Sequence, residues 1–242
     1  MWVIITGANR GIGKAMVEAF AEEKYNIWAC ARKTNGQYER ELEEIAQQYG
    51  VIIKPIYFDL ANEKEVAMGI KNILAQKQEI DVLVNNAGIP YGASFLMTSL
   101  NAMKEVYDIN VFAQVQIMQL VARQMMRQKH GCIINMCSVG GIETEPGYLA
   151  YGSSKAALIW ITKAASKELG NYNIRVNGIA PGLIATDMGN YKSEKEQKKV
   201  LDRMSLHRMG QPDEIAKAAI YIASKEASFM TGHILVLDGG RL

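Results

Sequence analysis

Tyr151 and Lys155 stand four residues apart in Tyr151-Gly152-Ser153-Ser154-Lys155. On a helix that spacing places both side chains on one face. A lone tyrosine titrates near pH ~10 and is a sluggish acid at neutral pH. A neighbouring ammonium favours the phenolate and draws that pKa toward working pH. Reducing a ketone needs such a group, to protonate the oxygen as a hydride reaches the carbon, and a second polar group to orient the carbonyl. Ser138, thirteen positions before Tyr151, is the candidate for the second task. By itself a Tyr-x-x-x-Lys pair is an ordinary feature of helix surfaces, so its weight depends on a second chemical signal.

That signal is Thr6-Gly7-Ala8-Asn9-Arg10-Gly11-Ile12-Gly13, which follows an apolar run and opens a helical pattern. One glycine lets the chain turn sharply off a strand, another lets the backbone approach a pyrophosphate, and the last lets helix and strand pack closely. The helix N-terminus then offers free N–H groups and a positive dipole end to the phosphates. A strand before and a helix after make this a dinucleotide fingerprint rather than a plain turn. Gly7, Asn9, Arg10, Gly11, Ile12 and Gly13 are its candidate cofactor contacts. The spacing is Gly-x-x-x-Gly-x-Gly.

Both signals need a scaffold. Apolar runs at 2–6, 26–31, 51–58, 81–85, 132–137, 175–180 and 234–237 read as strands, and 12–22, 37–49, 63–76, 101–128 and 151–169 have helical patterns. This alternation predicts an α/β fold, a doubly wound (Rossmann) parallel sheet of seven strands with helices on both faces. The near-continuous apolar strands suit a sheet buried on both sides. No repeat or linker interrupts the chain, so residues 1–242 are expected to form one domain. The polar stretch 182–210, with Lys192-Ser193-Glu194-Lys195-Glu196, suits a mobile lid, expected around 183–210.

Composition narrows the function. Of 242 residues 49% are hydrophobic and the formal net charge is only +2, so no basic footprint for nucleic acid exists. Cys30, Cys132 and Cys137 match no metal or redox spacing and read as small buried hydrophobes, and His130, His207 and His233 are scattered. No metal site is expected. No export leader and no apolar run of roughly 20 residues is visible, which predicts a soluble, cytoplasmic protein without membrane contact.

The long gap in the glycine loop resembles the short-chain dehydrogenase/reductase family, and the resemblance continues in order along essentially the whole chain. Asn85-Asn86-Ala87-Gly88 resembles the family's Asn-Asn-Ala-Gly motif, Asp59-Leu60 its adenine contact, and Tyr151 with Lys155 its Tyr-x-x-x-Lys. Ser138 has the common family spacing, and Asn110, in Tyr107-Asp108-Ile109-Asn110-Val111, matches the fourth catalytic position. Pro181-Gly182 follows the sixth strand and Asp238-Gly239-Gly240 the seventh. The resemblance implies that Tyr151 is the general acid, that Lys155 lowers its pKa and binds the nicotinamide ribose, that Ser138 holds the substrate oxygen, and that Asn110 holds the water of a proton relay. It adds Asp59, Leu60, Asn86, Ala87, Gly88, Pro181, Gly182, Ile184 and Thr186 to the cofactor contacts. The intact catalytic set argues against a dinucleotide-sensing regulator. The glycine spacing and short C-terminal stretch argue against a sugar-nucleotide epimerase or dehydratase.

Within the family, residues 181–188, 208–216 and 230–232 resemble bacterial 3-oxoacyl-acyl-carrier-protein reductases, which implies reduction of a 3-oxoacyl thioester. Sugar, steroid and small-ketone reductases share these segments, and Glu143 and Glu145 suit a greasy acyl chain poorly, so those substrates stay open. After the second strand an NAD enzyme carries an acid that binds the ribose 2′-hydroxyl, about where Ala31 stands. Here Cys30-Ala31-Arg32-Lys33 has two cations and no carboxylate, and Arg10 adds a third, which predicts NADP(H).

Helix 151–169 is apolar on nearly every side over its middle, and residues 111–126 are similarly broad. In the family these helices form a two-fold interface and the C-terminal segment another, which implies a homotetramer. Acyl carrier protein is acidic and would be met by cations. Arg127, Lys129 and His130 supply one expected place, while Asn171-Tyr172-Asn173 stands where an arginine is expected at the other, so carrier protein should gain little over a small thioester.

Overall fold

A computed structural model describes residues 1–189 and 194–241. Lys192 and Ser193 of the charged run lie outside them. Seven strands, β1 (Trp2–Thr6), β2 (Asn26–Ala31), β3 (Ile53–Tyr57), β4 (Val82–Asn85), β5 (Gly131–Met136), β6 (Ile174–Pro181) and β7 (Ile234–Leu237), pair in parallel in the order β3-β2-β1-β4-β5-β6-β7. The chain runs outward from β1 to β3, then crosses back to β4 on the other side of β1. A doubly wound sheet opens a crevice at that reversal, beyond the carboxyl ends of the strands.

Side chains alternate along β1. Val3 and Ile5 enter a core with α1 (Gly11–Glu22), α2 (Gly36–Tyr49) and α8 (Pro212–Ala223). Trp2 and Ile4 enter the opposite core with α3 (Glu63–Leu74) and α5 (Ala113–Gln128). Helix α6 (Leu149–Leu169) covers the far side of β5 and β6, through Leu158 against Cys137 and Ala180. The sheet is therefore sealed on both faces, as its apolar strands require.

The helix expected over 101–128 is broken. It comprises α4 (Leu100–Tyr107), a π-helical turn at Asp108–Phe112, and α5. Such turns insert a residue into the helical ladder and are frequent at functional sites. Asn110 sits in the middle of this one and is fully buried. Its side chain, rather than any breaker residue in the sequence, accounts for the distortion. Oδ1 accepts from Ile89 N at 2.9 Å, while Nδ2 donates to Ile89 O at 3.0 Å and to Ser154 Oγ at 3.2 Å.

The stretch expected as a lid leaves β6 and carries α7 (Glu194–Leu201). Its two ends are stitched together, with Ala185 N on Gly210 O at 2.9 Å and Gly210 N on Leu183 O at 3.0 Å. Leu183, Val200 and Met204 form a small separate core.

Candidate active site

A cavity of about 760 Å³ opens at the carboxyl ends of the strands and runs across the β1/β4 reversal. All nineteen positions proposed from sequence as cofactor contacts line it: Gly7, Asn9, Arg10, Gly11, Ile12, Gly13, Arg32, Lys33, Asp59, Leu60, Asn86, Ala87, Gly88, Tyr151, Lys155, Pro181, Gly182, Ile184 and Thr186. Ser138 lines it too, whereas Asn110 stands behind the wall. Sequence reasoning missed Thr34, Asn35 and Tyr38 beside Arg32, and Tyr148, Val200 and Arg241 at the other end. No motif marks those positions. They reach the cavity through the packing of α2, of the segment around α7 and of the chain end.

The glycine loop is held from the neighbouring strand. Thr6 Oγ1 accepts from the backbone N–H groups of Asn86 and Ala87, both at 3.0 Å, and Asn86 Nδ2 donates to Thr6 O at 2.9 Å. Gly7 has φ 66°, a left-handed conformation that favours glycine. A Cβ on Gly13 would collide with the carbonyl oxygen of Gly7. Asn35 and Asn62 cap α2 and α3, but α1 has no side-chain cap and no acid in its first turn. Its first N–H groups, together with the helix dipole, are thus left to the cavity.

Tyr151 and Lys155 lie on one face of α6, with the Lys155 ammonium 5.9 Å from the centre of the Tyr151 ring. Lys155 Nζ donates to Met136 O at 2.7 Å. Burial pushes the Lys155 pKa down to about 8 from its ordinary 10.5. Ser138, the last residue before the 3-10 turn Val139–Gly141, accepts from Gly140 N at 3.1 Å. Tyr148 stands edge-on to Tyr151, ring centres 6.2 Å apart. Asn110 and Lys155 meet across Gly88, where an added Cβ would lie 3.0 Å from Asn110 Oδ1 and 3.4 Å from Lys155 Nζ. Both Asn110 amide hydrogens are engaged, so this amide fixes the loop after β4 and the start of α6.

Three expectations change. Arg10 points to Asp187 at 3.4 Å, an exposed pair across the cavity rim, so it is shared between the phosphate end and the segment after β6. Lys129 and His130 precede β5 in a sheet whose strands all run parallel, so within one chain they stand at the edge opposite the cavity rather than beside its mouth. Asn173 donates to Lys129 O at 3.2 Å, which puts the two expected carrier-protein places side by side there. Glu145 does not line the cavity. Arg203 at 2.8 Å and Arg241 at 2.6 Å pair with it, so its charge is answered by two guanidinium groups. Glu143 is exposed.

Cys30, Cys132 and Cys137 are buried free thiols whose pKa values burial raises. Among the described residues no helix is long and apolar enough to cross a membrane, and no cluster of metal-ligating side chains occurs.

A glycine loop at the uncapped head of α1 and a tyrosine–lysine pair on α6, facing one cavity of a doubly wound sheet, are parts that suit a dinucleotide-dependent oxidoreductase. A family model described as enoyl-(acyl carrier protein) reductase matches residues 7–241. The 3-oxoacyl-[acyl-carrier-protein] reductase FabG of Chlamydia trachomatis is 37% identical over 240 residues, covering 98% of this chain and 95% of that protein. A solved 7 alpha-hydroxysteroid dehydrogenase complexed with NADH and 7-oxo glycochenodeoxycholic acid superposes with a TM-score of 0.91 at 32% identity, covering 99% of this chain and 93% of the other. The 3-oxoacyl-[acyl-carrier protein] reductase of Brucella melitensis gives 0.90 at 30% identity, covering 100% and 91%. The chain belongs to the short-chain dehydrogenase/reductase family, whose members use a nicotinamide cofactor.

Proposed function

We propose that the protein is an NADPH-dependent ketoreductase acting on 3-oxoacyl thioesters. The observation that carries this reading is the single cavity with the uncapped head of α1 at one part and Tyr151, Lys155 and Ser138 at another. The residues fit the cofactor, since the glycine loop and the uncapped head of α1 line the cavity with free N–H groups that suit a pyrophosphate. When bound, the dinucleotide supplies the hydride. Ser138 Oγ donates to the substrate carbonyl and orients it. Tyr151 passes its phenolic proton to the same oxygen as the carbon is reduced, leaving an alcohol and a phenolate. Lys155 stabilises that phenolate and would bind the nicotinamide ribose, and Asn110, which also ties down the loop that follows β4, would hold the water that links Lys155 to solvent as a proton relay. Gly11, Asn9 and Ile12 would hold the phosphates, Asp59 and Leu60 the adenine, and Asn86 to Gly88 and Pro181 to Thr186 the rest of the dinucleotide.

NADP(H) is favoured by this chain's own residues. A relative has been solved with NADH, so family membership leaves the choice open. Arg32 and Lys33 line the adenosine end, with no carboxylate at buried Ala31. A 2′-phosphate suits that pair and a carboxylate would repel it.

The whole chain acts as one domain, and the stretch around 183–210, whose described ends are stitched together, is a mobile lid over the substrate end. A homotetramer is supported by Trp160 on α6, 73% exposed, and Phe112 ahead of α5, 59% exposed. Most apolar residues of α5 itself face inward, so its share of the interface is narrower than the sequence suggests. Carrier protein, if used, gains little over a small thioester.

The test is NADPH oxidation by the purified protein against 3-oxoacyl thioesters, with small and carrier-protein leaving groups at low and high salt, beside sugar and hydroxysteroid substrates. The expected outcome is highest kcat/KM for the thioesters, nearly equal between the two carriers. A steroid or sugar winning by a wide margin would replace the substrate class, and a large salt-sensitive gain from carrier protein would replace the carrier reading.

A further inference from the structure

Arg241 is a cation inside a cavity wall, at a position that no part of the reading above uses. Its side chain is only 5% exposed, yet it lines the cavity. It follows β7, at the edge of the sheet opposite β2 and β3, and so belongs to the end away from Arg32 and Lys33. Val200, on the excursion after β6, lines the cavity with it.

Its charge is only partly answered. Arg241 Nη2 donates to Glu145 Oε1 at 2.6 Å, and Arg203 Nη1 donates to the same oxygen at 2.8 Å. Two guanidinium groups therefore share one carboxylate, which leaves an excess of one positive charge. Arg241 Nε is buried and has no hydrogen-bond partner among the described residues. A buried donor without an acceptor is costly, and its recurrence in a native structure calls for an explanation. Arg241 lines the cavity and Glu145 does not, so the cation is the member of the pair that stands in the wall. The arginine is also well fixed. Ser205 N and Leu206 N bond Gly240 O and Gly239 O, at 3.3 and 3.0 Å, which ties the chain end to the segment that carries Arg203.

We propose that Arg241, backed by Glu145 and Arg203, is an anion subsite at the substrate end of the cavity that selects ketones bearing a carboxylate. The planar guanidinium, oriented by Glu145 on one edge, presents its remaining donors to a carboxylate, the geometry in which arginine binds best. The proposal rests on the ketoreductase reading and specifies the substrate within it. Within that reading the substrate is a 3-oxoacyl thioester whose chain ends in a carboxylate, reduced at its ketone with the distal acid group held by Arg241.

The experiment compares 3-oxoacyl thioesters that carry a terminal carboxylate, at increasing chain length, with their terminal methyl esters, using NADPH and the wild-type enzyme, then Arg241→Met. At one chain length the acid is expected to exceed its ester in kcat/KM by about tenfold or more, the scale of one charge-assisted hydrogen bond. Arg241→Met should erase that advantage while ester reduction changes by less than about threefold, since neutral substrates do not use the charge. Wild-type enzyme gives a check that does not depend on the variant folding. A saturated carboxylate of the matching length should inhibit ester reduction competitively, and its methyl ester should not. Esters reduced as well as acids at every length would overturn the subsite and leave the ketoreductase reading intact. Absence of NADPH oxidation with any ketone would instead remove the reading beneath it. A third arm carries the 3-oxoacyl group on pantetheine and on phosphopantetheine. An advantage confined to the phosphorylated arm, lost in Arg241→Met, would assign the anion to the carrier side and overturn the carboxylate assignment.

Discussion

The Lys155 ammonium is anchored on the backbone carbonyl of Met136, 2.7 Å away. That bond offsets part of the cost of burying the charge, yet burial still holds the Lys155 pKa at about 8, below its ordinary 10.5. The sign of the resulting pH dependence is fixed. Between these two values the unfolded chain binds more protons than the folded one, so this group adds stability as pH rises from 8 to 10.5 and imposes its full burial cost below 8. The Tm of the cofactor-free wild type, relative to Lys155→Met, is expected to rise across that window. A flat difference in thermal melts from pH 7 to 10.5 would contradict the shifted pKa. For catalysis the sign reverses, because the ammonium is what supports the phenolate. Reductive kcat/KM should fall as pH rises through about 8.

Tyr151→Phe removes the only proton that the proposed mechanism delivers to the carbonyl oxygen. General acid catalysis contributes typically ~10²–10⁴-fold, so kcat is expected to drop at least about a hundredfold. The ring and its edge-on contact with Tyr148 remain, so NADPH should bind with near wild-type Kd in a fluorescence titration. A variant with near wild-type kcat would transfer the acid role to another group.

Arg32→Ala tests the cofactor choice. The guanidinium lines the adenosine end of the cavity, and its loss should lower kcat/KM for NADPH by about tenfold or more, as expected for one charge-assisted hydrogen bond to phosphate. NADH, lacking the 2′-phosphate, should change little. Equal effects on both cofactors would make Arg32 an ordinary surface charge.

Gly13→Ala adds one methyl group where the Gly7 carbonyl already stands. The loop must move to admit it, and the same loop shapes the phosphate end. Overpacking of this kind typically costs ~1–3 kcal/mol, so a lower Tm is expected together with weaker NADPH binding. Calorimetry and fluorescence titration read the two effects separately. A variant that matches wild type in both would show that the cradle is looser than its geometry indicates.

Much of the molecule was legible in the residues themselves. Strands β1 and β2 fall where the apolar runs predicted, because a parallel strand buried on both faces must be apolar at nearly every position, and the half-buried edge strand β7 also falls on its run. The positions proposed as cofactor contacts, which line one cavity, were legible for a related reason. A pyrophosphate needs glycines at set intervals between a strand and a helix, and those intervals are local in sequence. The tyrosine–lysine pair is also local, one helical turn apart.

What sequence could not determine was whatever depends on contacts between distant segments. The π-helical turn at Asn110 arises from that amide bonding the Ile89 backbone, 21 residues away. Parallel strand direction sends Lys129 and His130 to the edge opposite the cavity, although their position before β5 says nothing of which end they occupy. Glu145 looked unsuited to an acyl pocket, but Arg203 and Arg241, 58 and 96 residues further on, pair with it, and Arg241 rather than Glu145 lines the cavity. Local spacing encodes the parts of a site built within one turn of chain. The charge that a substrate meets is set by which side chains the fold brings together, and only the tertiary structure decides that.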